Sequence, residues 1–95
     1  KYNLKKIIIA YEPIWSIGTG KLPSSSELEK NIVILKKFIK QKFRLNYNTK
    51  LIYGGSVDKK SISDFKSIKE LDGFLIGGAS KSSNNFIDII KNFYK

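Results

Sequence analysis

Lys50-Leu51-Ile52-Tyr53-Gly54-Gly55-Ser56-Val57 is a short apolar run closed by two glycines and a serine, and Gly73-Phe74-Leu75-Ile76-Gly77-Gly78-Ala79-Ser80 repeats that order further on. In both stretches the branched and aromatic residues read as a strand and the small residues as a turn. A third apolar run, Ile7-Ile8-Ile9-Ala10-Tyr11, stands upstream and stops at Glu12-Pro13. It is apolar at consecutive positions, as in a parallel strand covered on each side. A stretch of helical periodicity follows each run. Ser24-Ser25-Ser26-Glu27 has the form of a capping box, and Leu28, Ile32, Leu35, Ile39 and Phe43 then recur at helical spacing, predicting a helix over about 25–44. Ile62, Phe65 and Ile68 mark a shorter second helix, and Phe86, Ile89, Ile90 and Phe93 a final amphipathic one. Strands alternating with helices predict an α/β fold with a parallel sheet. Every Gly-rich segment then falls at a strand's carboxyl end, the edge where open α/β sheets and β/α barrels place their ligand sites.

Composition narrows the chemistry. The 95 residues allow one domain and contain no cysteine, no histidine and no methionine. Without cysteine or imidazole there is no thiolate or His-ligated metal site and no Ser-His or Cys-His couple, so proton transfer falls to carboxylate, lysine or tyrosine. The missing methionine at position 1 is read as the mark of a chain processed or cut from something longer. A net charge of +10 raises nucleic acid or an anionic surface as a partner. The lysines are spread singly or in pairs, however, and arginine occurs once, at Arg44, so no specific nucleic-acid face is expected. The longest apolar runs are too short to span a membrane, and Lys1 to Lys6 lacks the apolar centre of a signal peptide.

Three segments carry candidate chemistry. Gly77-Gly78 is either a plain turn or a place where bare backbone N–H groups converge on an anion ahead of a helix, and Gly54-Gly55-Ser56 repeats the arrangement one unit earlier. Two such turns on one sheet edge point to a phosphate pocket. Glu12 ends a strongly apolar strand, and Pro13 keeps its backbone extended, so its carboxylate is either an ordinary strand-terminal acid or a group aimed from the strand's end. After it, Ile14-Trp15-Ser16-Ile17-Gly18-Thr19-Gly20-Lys21 is a loop with bulky apolar residues and two glycines. Either Trp15 and Ile17 pack beneath it, or it is a lid that covers a site.

Ala10-Tyr11-Glu12-Pro13-Ile14-Trp15, Ile17-Gly18-Thr19-Gly20-Lys21, Tyr53-Gly54-Gly55-Ser56-Val57 and Asp72-Gly73-Phe74-Leu75-Ile76-Gly77-Gly78-Ala79-Ser80 together resemble the signature segments of the triosephosphate isomerase family, in order and in spacing. The resemblance covers essentially the whole chain. It implies that residues 1–95 are the carboxyl-terminal part of a single TIM (β/α)8 barrel domain, contributing strands 6–8 and helices 6–8. It implies interconversion of dihydroxyacetone phosphate and D-glyceraldehyde 3-phosphate through an enediol intermediate, in glycolysis and gluconeogenesis, with no metal and no cofactor. By position, Glu12 is the general base; Gly18, Ser56, Gly77 and Gly78 bind the substrate phosphate; residues 13 to 23 form the lid, with Pro13, Ile14, Trp15, Ile17, Thr19, Gly20 and Lys21 in it. Ile17 and Leu75 are expected to press on the Glu12 carboxylate and, by desolvating it, to make it a stronger base. The family is a cytoplasmic homodimer, so the same location and a triose phosphate substrate are expected, with neither membrane nor specific nucleic acid as a partner.

Departures from the family pattern are few. Ser16 stands where alanine is frequent, and Leu22-Pro23 replaces a small, flexible pair at the lid's second hinge. The family's electrophilic histidine and its active-site lysine and asparagine come from earlier strands, which this chain lacks. A complete barrel of this type needs about 250 residues. Three strands leave two open edges and a bare inner face, so the chain alone is expected to be poorly folded or aggregation-prone, and inactive. Two other readings stand beside this one: a different phosphate-binding β/α-barrel enzyme, and a non-enzymatic basic fragment.

Overall fold

The computed structural model describes residues 2–16 and 18–95. Three strands, β1 (Ile8–Tyr11), β2 (Lys50–Tyr53) and β3 (Gly73–Phe74), form one sheet in the order β1-β2-β3. Both pairings are parallel, with Ile9 opposite Leu51, Tyr11 opposite Tyr53, and Tyr53 opposite Phe74. Helices α1 (Ser25–Lys42), α2 (Lys59–Phe65) and α3 (Ser83–Phe93) alternate with the strands, and short 3₁₀ turns occupy Ile14–Ser16 and Gly78–Lys81. Among the described residues, no helix is long and apolar enough to cross a membrane.

Pleating alternates side chains across the sheet, and the parallel register puts like positions on like faces. Leu51 and Tyr53 are buried, and Ile9, Tyr11 and Phe74 pack against the same core as Leu28 and Ile32 of α1, Ile62 and Phe65 of α2, and Ile89 of α3. The opposite face bears Ile8, Ala10 and Ile52, and there Ile8 keeps 65% of its surface exposed. β1 is thus covered on one side only, which corrects the reading of its apolar run as a strand covered on each side and agrees with the bare inner face expected of three strands by themselves. This chain's helices bury the face that carries Leu51 and Tyr53, and the second face lies open.

Helix ends follow local chemistry. Ser24 caps α1 by accepting from the Glu27 backbone N–H, while its own hydroxyl donates to Glu27 Oε1. A full reciprocal capping box forms instead at α2, where Asp58 accepts from Ser61 N at 2.8 Å and Ser61 Oγ accepts from Asp58 N at 2.9 Å. The predicted end of α1 near 44 comes two residues early, because Arg44 turns into the left-handed region (φ 52°). Ile68 lies beyond α2: its N–H bonds to Phe65 O, a tighter turn than the α-helix makes, although the side chain is buried as its periodicity predicts. The third strand is shorter than the predicted Gly73–Ile76, yet Leu75 N still donates to Tyr53 O at 2.9 Å.

A partly buried ion pair ties these layers together. Lys36 on α1 reaches Asp72 Oδ2 at 2.9 Å, and the same oxygen accepts from Leu51 N at 2.8 Å, so one carboxylate joins α1, the start of β2 and the segment entering β3. Burial opposes ionisation of Asp72, but the Leu51 amide and Lys36 outweigh it and hold its pKa below the ordinary 3.8. Stability from this group is present above 3.8 and is lost as pH falls through the lowered folded-state value. Lys36→Met is expected to cost about 2–3 kcal/mol in urea unfolding, less than for a fully buried pair because Asp72 is partly solvated. It should also move the acid unfolding limb to higher pH.

Candidate functional site

The ladder does not stop where the strands do. Gly54 N donates to Tyr11 O at 2.9 Å and Leu75 N to Tyr53 O at 2.9 Å, which carries the register one step past each strand. Glu12, Gly54 and Leu75 consequently lie side by side at the carboxyl edge of the sheet. A Cβ on Gly54 would sit 2.9 Å from Glu12 Cγ, 3.1 Å from Glu12 Oε1 and 3.4 Å from Leu75 Cβ. The absent side chain of Gly54 is thus the space through which the Glu12 side chain passes. Glu12 itself is exposed, as is Leu75.

Pro13 is buried and anchors the segment that follows, its carbonyl accepting from Ser16 N at 2.9 Å to close a 3₁₀ turn. That turn leaves Ile14 at 88% exposure and Trp15 half exposed, while Ser16 is fully buried. Beyond it Thr19 Oγ1 donates to Trp15 O and accepts from Lys21 N, folding the loop on itself. Gly18 (φ 67°) and Gly20 (φ 76°) both occupy the left-handed region, which explains their residue type without reference to any ligand. Ile17, named above in both lid and clamp, lies outside the described residues.

The loop is fastened to the turn after β2. Gly20 N donates to Ser56 Oγ at 3.0 Å, Ser56 Oγ donates to Ser16 O, and Ser56 N donates to Ser16 Oγ at 3.2 Å. Ser16 Oγ also donates to Lys21 O at 2.6 Å and pairs with the Tyr53 hydroxyl at 2.8 Å. Burial pushes the Tyr53 pKa up, with help from nearby Tyr11, so the phenol keeps its proton well into the alkaline range. Both polar groups of Ser56, expected from the sequence to meet a phosphate, are engaged with the loop here.

The third strand's turn is built differently. Gly77 has φ −94° and ψ −105°, its carbonyl accepts from both Ser80 N and Ser80 Oγ, and Gly78 opens the following 3₁₀ turn. A Cβ at either glycine would meet nothing within 4 Å, so open space lies over this backbone. Glu12, Leu75, Ser56, Gly77 and Gly78 thus all follow the carboxyl ends of three adjacent parallel strands. Among the described residues, no cluster of three or more carboxylate or other metal-ligating side chains occurs.

Tyr53 and Ser16 are the parts of this edge to which sequence reading assigned no role. Tyr53 reads only as the last residue of a strand, and Ser16 only as a small change from alanine. Their pairing depends on Tyr53 folding back over Gly55, which residue spacing does not reveal. At Gly55 a Cβ would collide with the Tyr53 ring and hydroxyl and come within 2.5 Å of Ser16 Oγ. Those neighbours are fully buried and have no room to yield. Gly55→Ala is therefore expected to destabilise the fold by about 1–3 kcal/mol in thermal or urea unfolding, together with loosening of the 13–21 loop.

Residues 1–93 match the triosephosphate isomerase family. The triosephosphate isomerase of Mesomycoplasma hyopneumoniae (strain 232) is 44% identical over 90 residues, covering 95% of this chain and 35% of its own length. That of Dictyoglomus thermophilum is 37% identical over 94 residues, covering 97% and 38% respectively. The Dictyostelium discoideum protein of the same name is 40% identical over 89 residues, covering 92% and 35%. The chain spans about a third of the length of these curated relatives.

Proposed function

The chain belongs to the triosephosphate isomerase family, and on that footing we propose that residues 1–95 form the carboxyl-terminal part of a single (β/α)8 barrel domain, with β1, β2 and β3 as strands six to eight. The barrel interconverts dihydroxyacetone phosphate and D-glyceraldehyde 3-phosphate in glycolysis and gluconeogenesis, without metal or cofactor, as a cytoplasmic homodimer. The observation that carries this reading is the row formed by Glu12, Gly54 and Leu75 at the carboxyl edge, with a Gly-rich turn following each of its last two strands. Family membership favours it over a different phosphate-binding barrel and over a non-enzymatic basic fragment.

In this reading Glu12 is the general base. Its carboxylate takes a proton from one substrate carbon, leaving an enediol, and returns it to the neighbouring carbon. A strand-end carboxylate running through the space left by Gly54 can reach both carbons by rotating its terminal bonds, without backbone movement. The phosphate is held by backbone N–H groups of Gly18, Ser56, Gly77 and Gly78. Fixed amides stabilise a dianion without reorganising, and the open space above Gly77 and Gly78 lets it approach closely. The Ser56 amide is available to it by exchange, because its 3.2 Å bond to Ser16 Oγ is weaker than a charge-assisted bond to a phosphate oxygen. Pro13, Ile14, Trp15, Ile17, Thr19, Gly20 and Lys21 belong to the lid, which keeps water from an enediol that would otherwise expel its phosphate. Leu75 covers the base from its apolar side, and the family resemblance alone assigns Ile17 to the same part.

The test joins residues 1–95 to the upstream part of the Mesomycoplasma hyopneumoniae relative. The completed barrel is expected to turn over triose phosphate, and Glu12→Gln to lower kcat by about 10²–10⁴. The 95-residue chain by itself, with one sheet face bare, is expected to show no turnover. Full activity of Glu12→Gln, or measurable isomerase activity of the chain alone, contradicts the reading.

A further inference from the structure

Ser16 is fully buried at the end of the 3₁₀ turn that opens the loop, and its hydroxyl has every bond a hydroxyl can make. Its one proton goes to Lys21 O at 2.6 Å. Its two lone pairs therefore accept, one from the Tyr53 hydroxyl at 2.8 Å and one from Ser56 N at 3.2 Å. Ser16 O accepts in addition from Ser56 Oγ, which in turn accepts from Gly20 N. The opening arm of the loop thus meets its closing arm directly at Lys21 and, through Ser56, at Gly20, and both arms meet the turn after β2.

We propose that Ser16 is a positioning residue for the lid, its hydroxyl pinning both arms of the 13–21 loop to Tyr53 and Ser56. The proposal rests on the reading of this loop as a lid. Alanine at this position removes three hydrogen bonds at once: it strands the buried Tyr53 hydroxyl, frees the Lys21 carbonyl, and releases the Ser56 amide. The released amide is one that the phosphate uses, so substrate binding is not weakened. What suffers is the time the lid stays shut over the enediol.

The test uses the completed barrel described above with Ser16→Ala, Tyr53→Phe and the two combined. Alanine subtracts a single oxygen and fills the turn, so folding is retained. In Ser16→Ala, tryptic cleavage of the Lys21–Leu22 bond and amide hydrogen exchange at Gly20 are each expected to rise at least about ten-fold, since loss of even one well-made buried hydrogen bond is worth about that factor. The value of kcat should fall by a similar factor, with KM changed by less than about two-fold, and more of the enediol should lose inorganic phosphate in place of isomerising. Tyr53→Phe, which leaves the bonds of Ser16 to Lys21 O and Ser56 N in place, should move each readout in the same direction but by less, and the double variant should be no worse than Ser16→Ala. Unchanged cleavage and exchange in Ser16→Ala overturn the proposal, as does a lowered melting temperature with kcat and phosphate loss untouched. A barrel without isomerase turnover in which Ser16→Ala still speeds cleavage refutes the proposed activity and leaves the latch standing.

Discussion

The parallel register between β1, β2 and β3 is the constraint from which the rest of this molecule follows. Tyr11 faces Tyr53 and Tyr53 faces Phe74, so the residues one step beyond them, Glu12, Gly54 and Leu75, are forced into a row. A slip of one residue would invert every side chain across the sheet, burying Ile8 and Ile52 and expelling Leu51 and Tyr53. The core and the candidate site are therefore specified together. Lys36 and Asp72 reinforce the same arrangement from below, since the carboxylate that accepts from Leu51 N also holds α1 against the sheet.

Two adjacent glycines after β2 meet different constraints. Gly54 makes room for a flexible carboxylate at the solvent edge, whereas Gly55 makes room for a buried phenol and a buried hydroxyl. A side chain at the first displaces a group that can move; at the second it meets groups that cannot. Tyr53 has a double part: its ring stacks edge-on with Phe65 in the core at 5.5 Å, and its hydroxyl ends on the loop that covers the edge. The loop is thus anchored in the hydrophobic core and not merely on the surface.

Much of this was legible in the sequence. The branched runs before Gly54 and Gly77 announce strands, the periodicity of Leu28, Ile32 and Leu35 announces α1, and the Glu12-Pro13 pair announces an extended strand end. These depend on local preferences and on a periodic apolar pattern, which the sequence displays directly. The isoleucine run of β1 reads as a strand covered on both faces, and only the count of three strands says that one of those faces stays bare in this chain. A capping box reads readily at Ser24, whereas the fully reciprocal one at Asp58 does not, because serine takes the place of the usual glutamate there. Ser56 reads from the sequence as a phosphate ligand, and its second part, holding the loop with both polar groups, is visible only in the fold. Ser16 and Tyr53 lie far apart in the chain and meet only through tertiary folding. Such a contact leaves no mark in residue spacing.

The row at the carboxyl edge is tested most directly at Gly54, where the added methyl would meet Glu12 and little else that is rigid. In a completed barrel carrying Gly54→Ala, kcat for triose phosphate isomerisation and the thermal midpoint would be measured side by side. The account predicts that kcat falls by about ten-fold or more, as for a misplaced general base, while the thermal midpoint stays within a few degrees of the parent. An alanine variant with parental kcat would contradict it, for Glu12 would then have no need of the space that Gly54 leaves.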